Sequence, residues 1–150
     1  MITIRHVGIY VNDINLLEKF YTKVFHMTVI CRQEPDTNKL LDQLLDKANV
    51  KIITTKLITE YGRQKGFGDM LELVKIVGDK SDRICGNMPI SNIGTAHIAF
   101  EVNNIEDTVG EIIRNGGKQK TDIAVMENYN KLCFCVDPEG NWLELIQHRL

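Results

Sequence analysis

The sequence predicts an α+β fold built from two fused β-α-β-β-β modules, and two duplications within its 150 residues carry that expectation. Residues 6–14 read H-V-G-I-Y-V-N-D-I and residues 97–105 read H-I-A-F-E-V-N-N-I, in register at an offset of 97 − 6 = 91. Residues 68–74, G-D-M-L-E-L-V, return as G-N-W-L-E-L-I at 140–146, an offset of 144 − 72 = 72. The first copy therefore carries 91 − 72 = 19 more residues between its His and its Glu. Internal repeats of this kind mark supersecondary units that need a neighbour to bury their apolar faces.

Residues 2–11 alternate as a strand, and N-D-I-N at 12–15 offers caps for a helix with Ile14, Leu17, Phe20, Tyr21 and Val24 on one stripe. An apolar stretch follows at 27–32, and residues 37–48 carry Leu40, Leu41, Leu44 and Leu45 at helical spacing, so the extra length of the first copy is read as an added, core-covering helix. Strands are expected at 50–58 and 70–77, joined by a loop at 59–69. Gly78, Gly86, Gly94 and Pro89 mark 78–94 as a linker. The second copy repeats the order: strand 95–102, a helix with Ile105, Val109, Ile112 and Ile113 on one face and Gly116-Gly117 as its stop, strand 131–136, the turn D-P-E-G-N at 137–141, and strand 142–148. The chain is thus read as one domain over 1–150, with module 1 at about 1–80 and module 2 at about 95–150.

Strand parity decides which side chains can meet, because residues two apart point the same way. His6 shares a face with Gly8 and Tyr10, and Glu72 with Met70 and Val74; His97 shares one with Ala99 and Glu101, and Glu144 with Trp142 and Ile146. Leu71, Leu73, Leu143 and Leu145 must face the other way, under the helices. A core would rarely admit a carboxylate on two strands otherwise so apolar, because an unpaired buried charge is costly. Two such modules side by side would gather His6, Glu72, His97 and Glu144 in a cleft. Two imidazoles and two carboxylates suit one divalent ion with open positions, which can polarise two adjacent oxygens of a substrate and stabilise an enediolate. The cleft is expected to be lined by Tyr10, Met70, Trp142, Glu101 and Lys56, with Arg63 and Lys65 as candidate anchors for an anionic tail or as solvated loop charges. Arg5 has the opposite parity from His6.

A composition of 43% hydrophobic and 25% charged residues is that of an ordinary globular protein, and a net charge of −2 gives no electrostatic reason to expect nucleic acid or an anionic membrane as partner. No apolar run approaches a membrane span, and the chain opens on a strand pattern rather than a signal peptide, so a cytoplasmic location is expected. Cys31, Cys85, Cys133 and Cys135 show no C-x-x-C spacing and are read as reduced, packed thiols.

The paired modules, together with H-V-G-I-Y-V-N-D at the start, Y-T-K-V-F-H-M after the first helix, L-E-L closing module 1, G-T-A-H-I-A-F-E-V opening module 2 and D-P-E-G-N-W-L-E-L-I closing it, resemble the vicinal oxygen chelate superfamily of glyoxalases, bleomycin-resistance proteins and extradiol dioxygenases. The resemblance implies a curved mixed sheet. It also implies His6, Glu72, His97 and Glu144 as ligands of one divalent metal, with Ni, Co or Zn ahead of Fe, Mn or Mg. The ligand types look most like glyoxalase I, the lactoylglutathione lyase. That likeness implies Glu144, and with it Glu72, as the carboxylates that move a proton between two substrate carbons, a small 2-oxoaldehyde–thiol adduct as substrate, and a homodimer. A methylmalonyl-CoA-epimerase-like isomerase and a non-catalytic antibiotic-sequestering protein are the alternatives. His26 stands where relatives have the glycine that ends the first helix, a left-handed position.

Overall fold

The computed structural model describes residues 2–79, 88–127 and 130–148. The chain divides into two compact units, Met1–Ser81 and Asp82–Leu150, each with its own sheet and core. Part of the 78–94 linker, Cys85 and Gly86 included, lies outside the described residues. Among those described, no helix is long and apolar enough to cross a membrane.

The first unit runs β1 (His6–Tyr10), α1 (Ile14–Val24), β2 (Thr28–Asp36), α2 (Lys39–Leu44), β3 (Ile52–Ile58), α3 (Glu60–Lys65) and β4 (Met70–Ile76). Its four strands lie in the order β1-β4-β3-β2, with β1 parallel to β4 and the other pairs antiparallel. Asp13 caps α1 by accepting from the Asn15 and Leu16 amides, and the expected stripe Ile14, Leu17, Phe20, Tyr21 and Val24 is buried in full. The helix ends as the sequence implied: His26 takes φ +52°, and the Met27 amide donates back to the Tyr21 carbonyl. That stripe packs α1 on β3 and β4, where Leu57, Leu71 and Leu73 are almost wholly shielded from water. Each leucine so buried contributes roughly 1.5–3 kcal/mol.

The second unit runs β5 (His97–Glu101), α4 (Ile105–Arg114), β6 (Lys118–Gln119), β7 (Ala124–Val125), β8 (Lys131–Val136) and β9 (Trp142–Gln147). The sheet order is β5-β9-β8-β6, with β7 also paired to β8, and β5 parallel to β9 as β1 is to β4. Asn104 caps α4 by accepting from the Asp107 amide. Ile105, Val109 and Ile112 face the core with Leu143, Leu145, Cys133 and Cys135. Gly116 turns the chain at φ +93°, and a Cβ on Gly117 would stand 2.6 Å from the Val136 carbonyl, so the helix can return tightly onto β8 only through glycine. The hairpin is held by Asp137, whose Oδ1 accepts from the Glu139 and Asn141 amides.

The structure departs from the sequence reading in four places. Ile113, expected on the buried face of α4, is exposed, because the apolar stripe is only wide enough for Ile105, Val109 and Ile112. The loop 59–69 contains α3, capped by Thr59 and closed by Gly66 at φ +78°. The strands β6 and β7 add two short pairings to β8 that no alternation announced. The added helix α2 covers a small satellite core, with Leu41 packed among Val50, Ile52 and Val74, while Leu40 and Leu44 stay exposed. Ile52 and Val74 share parity with Lys56 and Glu72, so α2 lies on the face of the sheet opposite α1, beside the glutamate.

The thiols of Cys133 and Cys135 are buried 3.9 Å apart. Burial, then the neighbouring sulfur, pushes the Cys135 thiol up to about 12. Iodoacetamide at pH 8 should therefore leave both unmodified in the folded protein and alkylate them once urea unfolds it, read by peptide mass mapping. Because the folded-state value is raised, the stabilisation this thiol contributes is present below the unfolded value near 9 and is lost as pH rises above it.

Candidate metal centre

Each unit builds the same pair of side chains by the same route. In the first, β1 and β4 run parallel with Gly8 beside Glu72 and His6 beside Met70, which points the imidazole and the carboxylate to one face. His6 Nε2 lies 3.4 Å from Glu72 Oε2. In the second, β5 and β9 repeat the register, with Ala99 beside Glu144 and His97 beside Trp142. His97 Nε2 lies 3.0 Å from Glu144 Oε2. Side-chain exposures match as well, 42% and 20% in the first pair against 41% and 18% in the second, so each imidazole is accessible and each carboxylate half-sheltered.

The flanking groups differ. On β3, Lys56 stands directly across from Glu72 and brings its Nζ to 3.3 Å from Glu72 Oε1. On β8, the residue across from Glu144 is Phe134, whose ring meets the His97 imidazole edge-on at 5.7 Å between centroids. Glu72 is thus held between an imidazole and an ammonium, whereas Glu144 meets its imidazole with Phe134 across from it on the neighbouring strand.

The donor atoms fit a divalent ion. Two ligands each about 2.1 Å from a metal stand about 3.0 Å apart at a right angle and about 3.4 Å apart at a tetrahedral one, which brackets the two observed His–Glu spacings. The imidazole atom facing each carboxylate is Nε2, which must shed its proton to bind a cation, so metal and proton compete for one position. Among the described residues these groups come together in pairs, and no three His, Cys, Asp or Glu side chains gather around one point.

The other candidates are placed as follows. Tyr10, half-exposed, and Met70 share the His6 face. Trp142 shares the Glu144 face, donates its indole N–H to the Met88 carbonyl at 3.0 Å and carries the Lys120 ammonium 5.4 Å from its ring centroid. Glu101 ends β5 beside Ile146, exposed. Arg63 is engaged by Glu60 within α3, and Lys65 lies over the Tyr61 ring. Sequence reasoning passed over Lys120, a lone cation after a two-residue strand, and named Lys56 without its pairing to Glu72. The signal for that pairing was present, because Lys56 has the right parity, but its register with β4 was not.

The model of the Glyoxalase/Bleomycin resistance protein/Dioxygenase superfamily matches residues 3–145. No curated protein matches by sequence alone. Among solved structures, a glyoxalase family protein from Bacillus cereus superposes with a TM-score of 0.83 at 16% identity, over 98% of this chain and 94% of its own. The trypanothione-dependent glyoxalase I of Leishmania major gives 0.63 at 21% identity, over 98% and 87%. A fosfomycin resistance protein of Listeria monocytogenes, solved with Mn(II) and sulfate, gives 0.59 at 17% identity, over 100% and 96%. At these identities the likeness to the solved structures is one of fold. With nearly its whole length matched by the family model, the chain belongs to the Glyoxalase/Bleomycin resistance protein/Dioxygenase superfamily.

Trp142 is the chain's one tryptophan and neighbours His97. Titration with Co(II) or Ni(II), both efficient quenchers at short range, should therefore quench its emission, and His97→Ala should abolish the effect. Unchanged emission across the titration would argue against metal at this pair.

Proposed function

We propose that this superfamily member is a metal-dependent lyase or isomerase of the glyoxalase type, acting on a small 2-oxoaldehyde–thiol adduct. The observation that carries the reading is the duplicated His–Glu pair, each with its donor atoms at the spacing of adjacent ligands. His6, Glu72, His97 and Glu144 would together hold one divalent ion, with Ni, Co or Zn the best match to a mixed nitrogen and oxygen set. When bound, the ion supplies Lewis acidity toward two neighbouring substrate oxygens.

The chain's own residues would do the proton work. Glu144 takes a proton from the carbon beside the carbonyl and returns it to the adjacent carbon, which interconverts the two oxidation patterns with no external redox partner. It suits this role better than Glu72 because Phe134 faces it where Lys56 faces Glu72. Glu72 is held from two sides, by an imidazole and an ammonium, whereas Glu144 is held by its imidazole and has no ammonium at the matching position, so fewer contacts oppose its motion. The edge contact of Phe134 fixes the His97 ring, so that motion of Glu144 need not disturb its partner. Trp142, held by its hydrogen bond to Met88, keeps water from one side of the pair. Tyr10 and Met70 offer contact surface beside His6, and the active species is a homodimer in the cytoplasm.

Glu144→Gln keeps the size and hydrogen-bonding shape of the side chain and removes its basicity, so turnover of the methylglyoxal–glutathione hemithioacetal should fall by roughly 10²–10⁴ while the fold persists. Elemental analysis after loading with Ni, Co or Zn should give near one equivalent of metal per pair of His–Glu motifs. Wild-type turnover in Glu144→Gln would reject the proton-transfer role. Absence of metal under any loading would instead favour sequestration of a small molecule. Mixing inactive His6→Ala and His97→Ala proteins restores activity only if the two pairs of one site come from different copies of the chain.

A further inference from the structure

We infer that Lys56 is a specificity-determining anion anchor of this centre, favouring, among 2-oxoaldehyde–thiol adducts, those with a carboxylate or similar anionic group next to their two vicinal oxygens over neutral ones such as the methylglyoxal adduct. The inference rests on the proposed metal centre and goes beyond it in naming the substrate class.

Four observations converge on this one side chain. Lys56 shares the face of His6 and Glu72, and its ammonium stands 3.3 Å from Glu72 Oε1 while Glu72 Oε2 faces the imidazole. Its side chain is 43% exposed, so the charge is reachable from solvent. The residue in the same place in the second unit is Phe134, which shows that the strand pairing itself does not require a cation there. On the other side of the glutamate, Gly8 is its neighbour on β1, and an added Cβ there would meet Glu72 Oε2 at 3.8 Å, ordinary contact, so no β1 side chain competes with Lys56 for that carboxylate.

The charges assign the function. Two carboxylates balance a divalent ion, so a centre of two His and two Glu is neutral when loaded. Lys56 then adds a positive charge that the ligand set does not consume. On its far side β2 presents Cys31, whose thiol donates to Glu34 at 3.0 Å; that carboxylate keeps its charge but stands across from Thr54, away from the row of Lys56 and Glu72. Beyond the next row, α2 covers Val74 and Ile52 and closes the face. An incoming anion is therefore confined to the row of Glu72 and Lys56, where a charge-assisted hydrogen bond to the ammonium rewards it. A neutral ligand of the same shape gains nothing from Lys56.

The test compares glycolate with its neutral isostere glycolamide by calorimetry on metal-loaded protein. The metal itself favours the anionic ligand, so the readout is the change in the glycolate-to-glycolamide affinity ratio: Lys56→Met should lower that ratio by about tenfold by weakening glycolate alone, and Lys56→Arg should largely retain it. Circular dichroism checks that the exposed substitution leaves the fold intact. Equal weakening of both ligands, which a merely structural support of Glu72 would produce, overturns the inference, as does a glycolate affinity that Lys56→Met leaves unchanged. Metal content of the same samples separates the two readings: near one equivalent with an unchanged ratio rejects the role of Lys56 alone, and no metal rejects the four-ligand centre together with it.

Discussion

The alternation of a β-strand, applied to the triplet Leu-Glu-Leu, is the constraint on which the rest of the molecule depends. In β4 and again in β9 two leucines that are almost fully buried flank a glutamate that is not. Slipping either strand by one residue would exchange the three, placing a carboxylate under a helix and two leucines in water. The cost of burying that charge locks the register. The locked register in turn sets His6 beside Met70 and His97 beside Trp142, because the partner strands β1 and β5 are paired to the same two strands. The hydrophobic effect thus fixes the polar site: helices α1 and α4 hold the leucines, and the leucines aim the glutamates.

Once the scaffold is fixed twice, the two copies are free to diverge around it. The first carries α2 and α3 between its strands and a lysine across from its glutamate; the second has neither helix at the matching places and a phenylalanine across from its glutamate. Neither change disturbs the strand register, since Lys56 and Phe134 both lie on the face away from α1 and α4. Equal carboxylates in unequal surroundings are the usual way a site divides labour between two like groups. Here the difference in surroundings comes from side chains one strand away rather than from the His–Glu pairs themselves.

What the sequence revealed tracks how local each signal is. The stripe of α1, its Asp13 cap, the left-handed turn at His26 and the bounds of β8 are written within a few residues, and the structure has them where the pattern put them. The His–Glu meetings within each unit were legible because the repeat presented the same spacing twice. The six-residue α3 was not, because a single turn of helix buries too little to impose a periodicity, and its only marks are Thr59 and Gly66 at its ends. The strands β6 and β7 are two residues long, below the length at which alternation can be seen. Ile113 misled because a period of 3.6 leaves the edge of a stripe ambiguous, and only the width of the sheet beneath decides it. The Lys56–Glu72 contact joins residues on different strands through a register that no single stretch of chain encodes.

The insertion α2 then bears on what the face can accept. Leu41 closes over Val74 and Ile52, so the end of the sheet face beyond Glu72 and Lys56 is covered by protein and dry. The same helix leaves Leu40 and Leu44 in solvent, which a purely core-covering helix would have no reason to carry. Asn38 caps the helix by accepting from the Leu41 amide, and the Val50 amide donates to Asp42, so local bonds shape both the helix and the turn that leads back into β3. With Leu41 over Val74 and Ile52 on one side and the Lys56 ammonium beside Glu72, the His–Glu pair of the first unit has a covered flank and a cation that the pair of the second unit lacks at the matching position.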